Sequence, residues 1–177
     1  MATAVPYPVV PPRAKTDLPP LGPGALAGIG QRILGRLLDG VVIGIPLYFL
    51  TVAPYIVESG SKKVISMDQP GWAQAVDWLV PVLYETIALM MFGTTIGTWI
   101  ARCRVVRYSD GGLPQPAQAA FWTLVPTLPS LVALVVPSAL GQFLGILPPF
   151  IYLTALFDPV YRGLNDKAGG TIVLRTR

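Results

Sequence analysis

The sequence predicts an all-α membrane protein, a four-transmembrane-helix bundle carrying a small cytoplasmic β element. Three observations predict it. The 177 residues are 53% hydrophobic and only 12% charged, with a mean hydropathy of +0.58, about half the charge of an ordinary soluble domain. Apolar runs that reach the roughly 20 residues of a bilayer crossing recur along the chain. The charged stretches between them place every Lys and Arg except Lys62 and Lys63 on one side of a four-crossing topology. A soluble core of this size needs more polar surface, whereas helices in lipid need apolar residues toward both the bundle and the bilayer.

Residues 1–29 contain "VPYPVVPP" and "LPPLGPG", which predicts a Pro-rich, disordered and solvated N-terminal tail. It lacks the uninterrupted apolar segment of a signal peptide. Residues 30–177 form the transmembrane domain. Its first span covers about 33–57, where Pro46 and Pro54 are tolerated because neighbouring helices and hydroxyls can satisfy the freed carbonyls. "ESGSKKVISMDQPG" reads as an exposed connection. The second span covers about 76–101, with Pro81 as a kink and Trp78 and Trp99 at the two interfaces.

"RCRVVRYSDGGLPQPAQ" is too charged for lipid. Its β-branched residues and the Asp110-Gly111-Gly112 turn predict a short strand, for which "TIVLR" near the C-terminus is the partner. The β element thus draws on residues 102–116 and 170–175. From Ala120 to Phe157 no residue is charged, a run too long for one crossing. "PSALGQ", 137–142, divides it into a third span of about 120–137 and a fourth of about 141–157.

The charge asymmetry places both termini in the cytoplasm and the protein in the inner (cytoplasmic) membrane. The net charge of +4 and pI of 9.4 then have a topological origin, and no nucleic acid is expected as partner. Histidine is absent and Cys103 is the only cysteine. No disulfide, thiolate metal cluster or imidazole base can form within the chain, and no glycine-rich phosphate loop occurs. The expectation is a protein that is not an enzyme and holds neither metal nor cofactor.

The polar residues inside the apolar runs are the candidate site. Arg32, Arg36 and Asp39 are spaced four and three apart, along one stripe at the mouth of the first helix. The arginines can snorkel to the headgroups, but the Asp39 carboxylate needs a partner, and Arg36 is the nearest. Glu85 falls near mid-membrane, so it is either protonated or facing a cation, a polar cavity, those arginines or a tyrosine such as Tyr48 or Tyr84. Gly40 and Gly44 on the first helix, and Gly93 and Gly97 on the second, share a four-residue spacing that would let the two helices pack closely. These groups either fix register and depth or form an ion or proton path.

Those motifs resemble the RDD family of small bacterial membrane proteins, named for one arginine and two aspartates. "RILGRLLD" matches the family's entrance through Arg32 and Asp39. "GTTIGTWIARCRVVRYSDGGLP" matches its central segment through Gly93, Thr95, Gly97, Arg104, Val105, Val106, Asp110 and Gly111. "RGLNDKAGGT" matches its close through Gly163, Leu164, Asp166 and Thr171, which makes Asp166 the second aspartate, just outside the membrane on the cytoplasmic side. Thr98 stands where the family has lysine, Asn165 where it has histidine, and Trp122 or a neighbour where it has arginine.

The resemblance implies one of two functions. Some members are described as transporters, with exchange of sodium or potassium for protons; others are modules joined to different membrane systems. The partners to expect are therefore the lipid bilayer with another membrane protein or complex, or alternatively a monovalent cation or proton. The missing family charges and the long tail favour an accessory subunit. The buried acids favour a small transporter, with Thr95 and its neighbouring glycines as polar lining.

Overall fold

The computed structural model describes residues 7–8, 11–59, 62–65, 69–136, 140, 143–144 and 147–177. Helix α1 (Ile29–Leu47) starts where the Gly28 N–H donates to Gln31 Oε1 at 3.2 Å. Beyond Pro46, which cannot donate to the helical ladder, the rod continues as a π turn over Tyr48–Val52 and a 3-10 turn over Ala53–Tyr55. The Thr51 hydroxyl satisfies the Leu47 carbonyl there at 2.7 Å. Strands β1 (Ile56–Ser59) and β2 (Lys62–Ile65) then pair antiparallel, Ile56 opposite Ile65. The expected exposed connection is therefore a hairpin, and it leads into α2 (Gly71–Phe92).

Ile29–Tyr55 and Gly71–Phe92 are both long and apolar enough to cross a membrane. Only 11% of the most apolar window of each is buried within the protein, whereas the core helix of a soluble protein would be mostly covered. Leu37, Val41, Ile45 and Phe49 form one outward stripe, and Leu79, Leu83, Ile87 and Met91 another. Apolar surface of this extent needs lipid or a partner against it.

The second span ends earlier than the expected residue 101. Gly93 adopts φ +69°, a left-handed conformation that suits glycine, and its N–H closes the helix on the Leu89 carbonyl at 2.9 Å. Thr95 then caps a new, short helix α3 (Ile96–Ile100): the Thr98 N–H donates to Thr95 Oγ1 at 3.2 Å and the Thr95 N–H to Thr98 Oγ1 at 2.8 Å. α3 packs on α1. Trp99, expected at the end of a long span, projects from this short helix instead.

Strand β3 (Cys103–Arg107) pairs antiparallel with β4 (Thr171–Arg175), Cys103 opposite Arg175 and Arg107 opposite Thr171, as the sequence predicts. Alternation sorts the ribbon's faces. Cys103, Val105 and Val173 join the helix-side core of Ala27, Leu89, Ala119 and Trp122, while Val106, Ile172 and Leu174 join Leu18 and Val160 on the other side. The described part of the Pro-rich segment is not wholly solvated, because Pro12, Leu18 and residues 24–27 pack on or bond to this ribbon and its flank. Gly24 donates to the Arg175 carbonyl at 3.0 Å, Arg175 to Ala25 at 2.7 Å and Ala27 to Val173 at 3.1 Å. Tyr108 donates to the Pro12 carbonyl at 2.6 Å, and Tyr7 to the Tyr108 carbonyl. A strand edge accepts an extended segment poor in donors, and Leu18 and Leu26 gain apolar neighbours there.

Helix α4 (Pro116–Val135) begins with proline in its first turn, four residues before the expected start. It packs against α2, where the Thr86 and Thr123 hydroxyls share a hydrogen bond of 2.8 Å. The expected break over 137–142 lies outside the described residues apart from Leu140. Helix α5 (Pro148–Leu153) and a 3-10 turn over Thr154–Phe157 follow, then α6 (Leu164–Gly169), which packs on α4.

Cys103 is fully buried, and loss of solvent pushes its thiol up to about 11 even though Arg32 and Arg175 act in the opposite direction. Since the thiolate is the reactive form, the folded protein should resist maleimide near neutral pH and react stoichiometrically once unfolded. Rapid labelling of the folded chain, read by mass spectrometry, would refute this placement.

Candidate functional site

The polar stripe of α1 is engaged at three successive levels, two of them by carboxylates from other elements. At the helix entrance, Arg32 Nη1 donates to Asp166 Oδ2 at 2.8 Å. Asp166 is fully buried and saturated by its own chain. The Gly163 N–H reaches Oδ2 at 3.0 Å, Trp122 Nε1 reaches Oδ1 at 2.7 Å and the Thr171 hydroxyl reaches Oδ1 at 3.3 Å. α1, α4, α6 and β4 are thereby tied at one carboxylate. Trp122, noted in the sequence only as a missing charge, supplies the donor.

One turn further in, Arg36 Nη1 donates to Glu85 Oε1 of α2 at 2.5 Å. Its guanidinium also lies 4.3 Å from the Trp122 ring centroid and 4.5 Å from that of Tyr152, contacts that stabilise a cation withdrawn from water. The two rings meet edge to face at 6.3 Å. Arg36 therefore pairs with Glu85, not with Asp39 as its spacing on the helix suggests. Neither Tyr48 nor Tyr84 takes the Glu85 carboxylate among the described contacts.

Asp39, 2% exposed, faces α3. Thr95 Oγ1 donates to Oδ2 at 2.6 Å, the Gly97 N–H to Oδ1 at 2.8 Å, and the Tyr84 hydroxyl to Oδ1 at 3.3 Å. Tyr84 in turn accepts the Ile96 N–H at 2.9 Å. Two orphan donors at the start of α3 are thus satisfied through Asp39 and Tyr84. Thr95, Thr98 and Thr94 continue the cluster as a hydroxyl chain, with oxygens 2.7 and 2.9 Å apart, and Thr94 reaches the Cys103 carbonyl at 3.2 Å. Thr98, standing in the family's lysine position, is the middle link.

The glycines divide differently from their spacing. A Cβ on Gly97 would lie 2.1 Å from the Gly35 carbonyl oxygen, and one on Gly35 would lie 3.0 Å from Thr98 Cγ2. Gly97 therefore packs against Gly35 and Asp39. Gly40 and Gly44 have nothing within 4 Å of such a Cβ, and Gly93 belongs to the turn against β3. The expected packing of Gly40 and Gly44 on Gly93 and Gly97 does not occur, because α2 has already ended when Gly97 is reached.

Sequence reasoning missed Gly35, Tyr152 and a further cluster at the far end of the rods. There the Thr51 hydroxyl shares its one proton between the Leu47 carbonyl and Asp77 Oδ1, 2.5 Å away, and Gln69 Nε2 reaches Asp77 Oδ2 at 3.0 Å and the Thr51 carbonyl at 2.7 Å. A signal existed for this cluster, since Asp77 stands at the head of an apolar run. Among the described residues no group of three or more His, Cys, Asp or Glu could hold a metal ion.

Two exposed apolar rods, joined to each other by Arg36–Glu85 and to α6 by Arg32–Asp166, define a mostly helical membrane protein. The chain matches the RDD family over residues 26–170 and belongs to it. That match contains Arg32, Asp39 and Asp166, the three residues that anchor α1. No curated protein and no solved structure matches the chain.

Proposed function

We propose that the protein is an accessory subunit of a larger assembly in the cytoplasmic membrane, and that its buried charges hold its own fold rather than conduct. One observation carries this reading. Asp39 and Asp166 have donors from the same chain on both oxygens, and Glu85 is held by Arg36, which leaves these carboxylates committed to internal partners. A transport site needs a carboxylate that can exchange its partner for an ion. The outward apolar stripes of α1 and α2 offer surface to a neighbouring membrane protein as readily as to lipid. Arg102, Arg104, Arg107, Arg162 and Arg175 gather around the ribbon end, while Lys62 and Lys63 lie in the hairpin at the other end of the rods. The positive-inside rule then puts the ribbon and both termini in the cytoplasm.

Cation–proton exchange is the second reading, favoured by the hydroxyl chain from Thr94 through Thr98 and Thr95 to Asp39, because linked hydroxyls can pass a proton by successive reorientation. Purified protein in liposomes separates the two. The accessory reading expects sodium, potassium and proton flux no greater than in empty vesicles, with a stoichiometric membrane partner recovered in mild detergent. Flux above background that falls in Asp39→Asn or Glu85→Gln would overturn it in favour of exchange.

A further inference from the structure

A cavity of about 420 Å3 opens beside α1, between that helix and α4, α5 and the ribbon, within the roughly 300–1,000 Å3 range of small-molecule sites. α1 presents Arg32, Ile33, Arg36 and Leu37 to it, and α5 presents Tyr152 and Leu153. Ile33 and Leu37 are 44% and 64% exposed, so the mouth lies on the same outward face as the apolar stripe of α1. The cavity therefore opens sideways toward the bilayer. Along α1 its lining runs from Ile29 to Leu37, about 12 Å of helix rise.

The lining is mostly apolar, with Thr98 and Asn165 among its polar members, and its charge has one sign. Arg32 and Arg36 both border the cavity, and no Asp or Glu does; their partners Asp166 and Glu85 sit behind them. In each arginine the Nη2 atom is buried and has no hydrogen-bond partner among the described residues. A buried donor in that state costs free energy until an acceptor arrives. Neither Nη2 reaches the cavity surface as the side chains stand, so an entering anion takes it up by turning the guanidinium. Guanidinium matches phosphate better than any other side chain does, through paired N–H donors.

We propose that this cavity binds one anionic phospholipid, its acyl chain along Ile33, Leu37 and Leu153 and its phosphate at Arg32 and Arg36. An apolar chamber open to hydrocarbon does not hold water, and a zwitterionic headgroup brings a cation to a wall already positive. Arg32 and Arg36 lie in the first two turns of α1, so their long side chains can carry both guanidinium groups toward headgroup depth while Ile33 and Leu37 stay among the tails. The site does not depend on whether the protein conducts.

Native mass spectrometry of the detergent-purified protein tests this with dioleoyl phosphatidylglycerol and dioleoyl phosphatidylcholine, which share their tails. One phosphatidylglycerol per chain should be retained, with a preference of about tenfold or more, because both lipids offer the phosphate but only choline brings a cation against Arg32 and Arg36. Ile33→Trp fills the cavity while keeping both arginines and both carboxylates in the chain and should abolish retention at an unchanged unfolding midpoint; Leu37→Trp, at the exposed mouth, gives a second variant should the first fold poorly. Equal retention of both lipids, or full retention in a folded tryptophan variant, would overturn the proposal. So would displacement by inorganic phosphate alone, which would mark a site for a free anion.

Discussion

Gly97→Ala is expected to destabilise the protein by about 3 kcal/mol or more, the upper range for overpacking, and to detach α3 from α1. The added Cβ would lie 2.1 Å from the Gly35 carbonyl oxygen, 2.6 Å from the Asp39 nitrogen and 2.8 Å from Asp39 Cγ. Two of these three atoms are backbone, so no side-chain rotation relieves the contact. Lifting α3 away stretches the Gly97 and Thr95 hydrogen bonds to Asp39 and leaves a buried carboxylate short of donors, a further cost of roughly 1.5–3 kcal/mol for each bond lost. Gly40→Ala and Gly44→Ala are the controls. Their Cβ atoms meet open space, and alanine in a helix interior is favoured over glycine by about 0.5–1 kcal/mol. Unfolding titrations in detergent should show Gly97→Ala far below wild type and both controls at or above it. A Gly97→Ala protein as stable as wild type would disprove the close approach of α1 and α3.

Asp166→Ala should have the second large effect. It strands the Arg32 guanidinium together with the Trp122 indole N–H and the Gly163 N–H, all of which terminate on the one buried carboxylate. Removing one partner of a buried pair costs about 3–5 kcal/mol, more than the pair itself contributes, because the remaining charge is left uncompensated. Arg32→Ala should therefore also destabilise strongly, and the double variant should cost clearly less than the sum of the singles. Asp166→Asn keeps the shape and one acceptor and should fall between. Additive single effects in the same unfolding titration would show that Arg32 and Asp166 do not act as a pair.

Much of this was legible in the sequence where a local pattern dictates the outcome. The β-branched residues of "CRVVR" and "TIVLR", with the Asp110-Gly111-Gly112 turn, predicted a pair of strands, and the two segments pair. Arg32 and Asp39 announced themselves as charges in an apolar run. Choice of partner was not legible. Arg36 and Asp39 are neighbours on one helix, but Asp39 turns to the free N–H groups opening α3, which spacing along α1 cannot reveal, and Arg36 is left to Glu85. Glycine spacing likewise carries no information on which glycine packs and which turns. Gly93 ends a helix with a positive φ, while Gly97, four residues on, is pressed against a neighbouring backbone. Trp122 was noted for the charge it lacks, although its ring faces one cation and its N–H serves the carboxylate of the other pair.

The segment along β4 has a consequence for recognition. An unoccupied strand edge is an invitation to extended peptides, which bind by continuing the ladder, and it is equally a route to unwanted self-association. Residues 24–27 already fill those positions on β4, so the leader works as a built-in stopper. No visiting chain can extend the ribbon on that side while the stopper is seated.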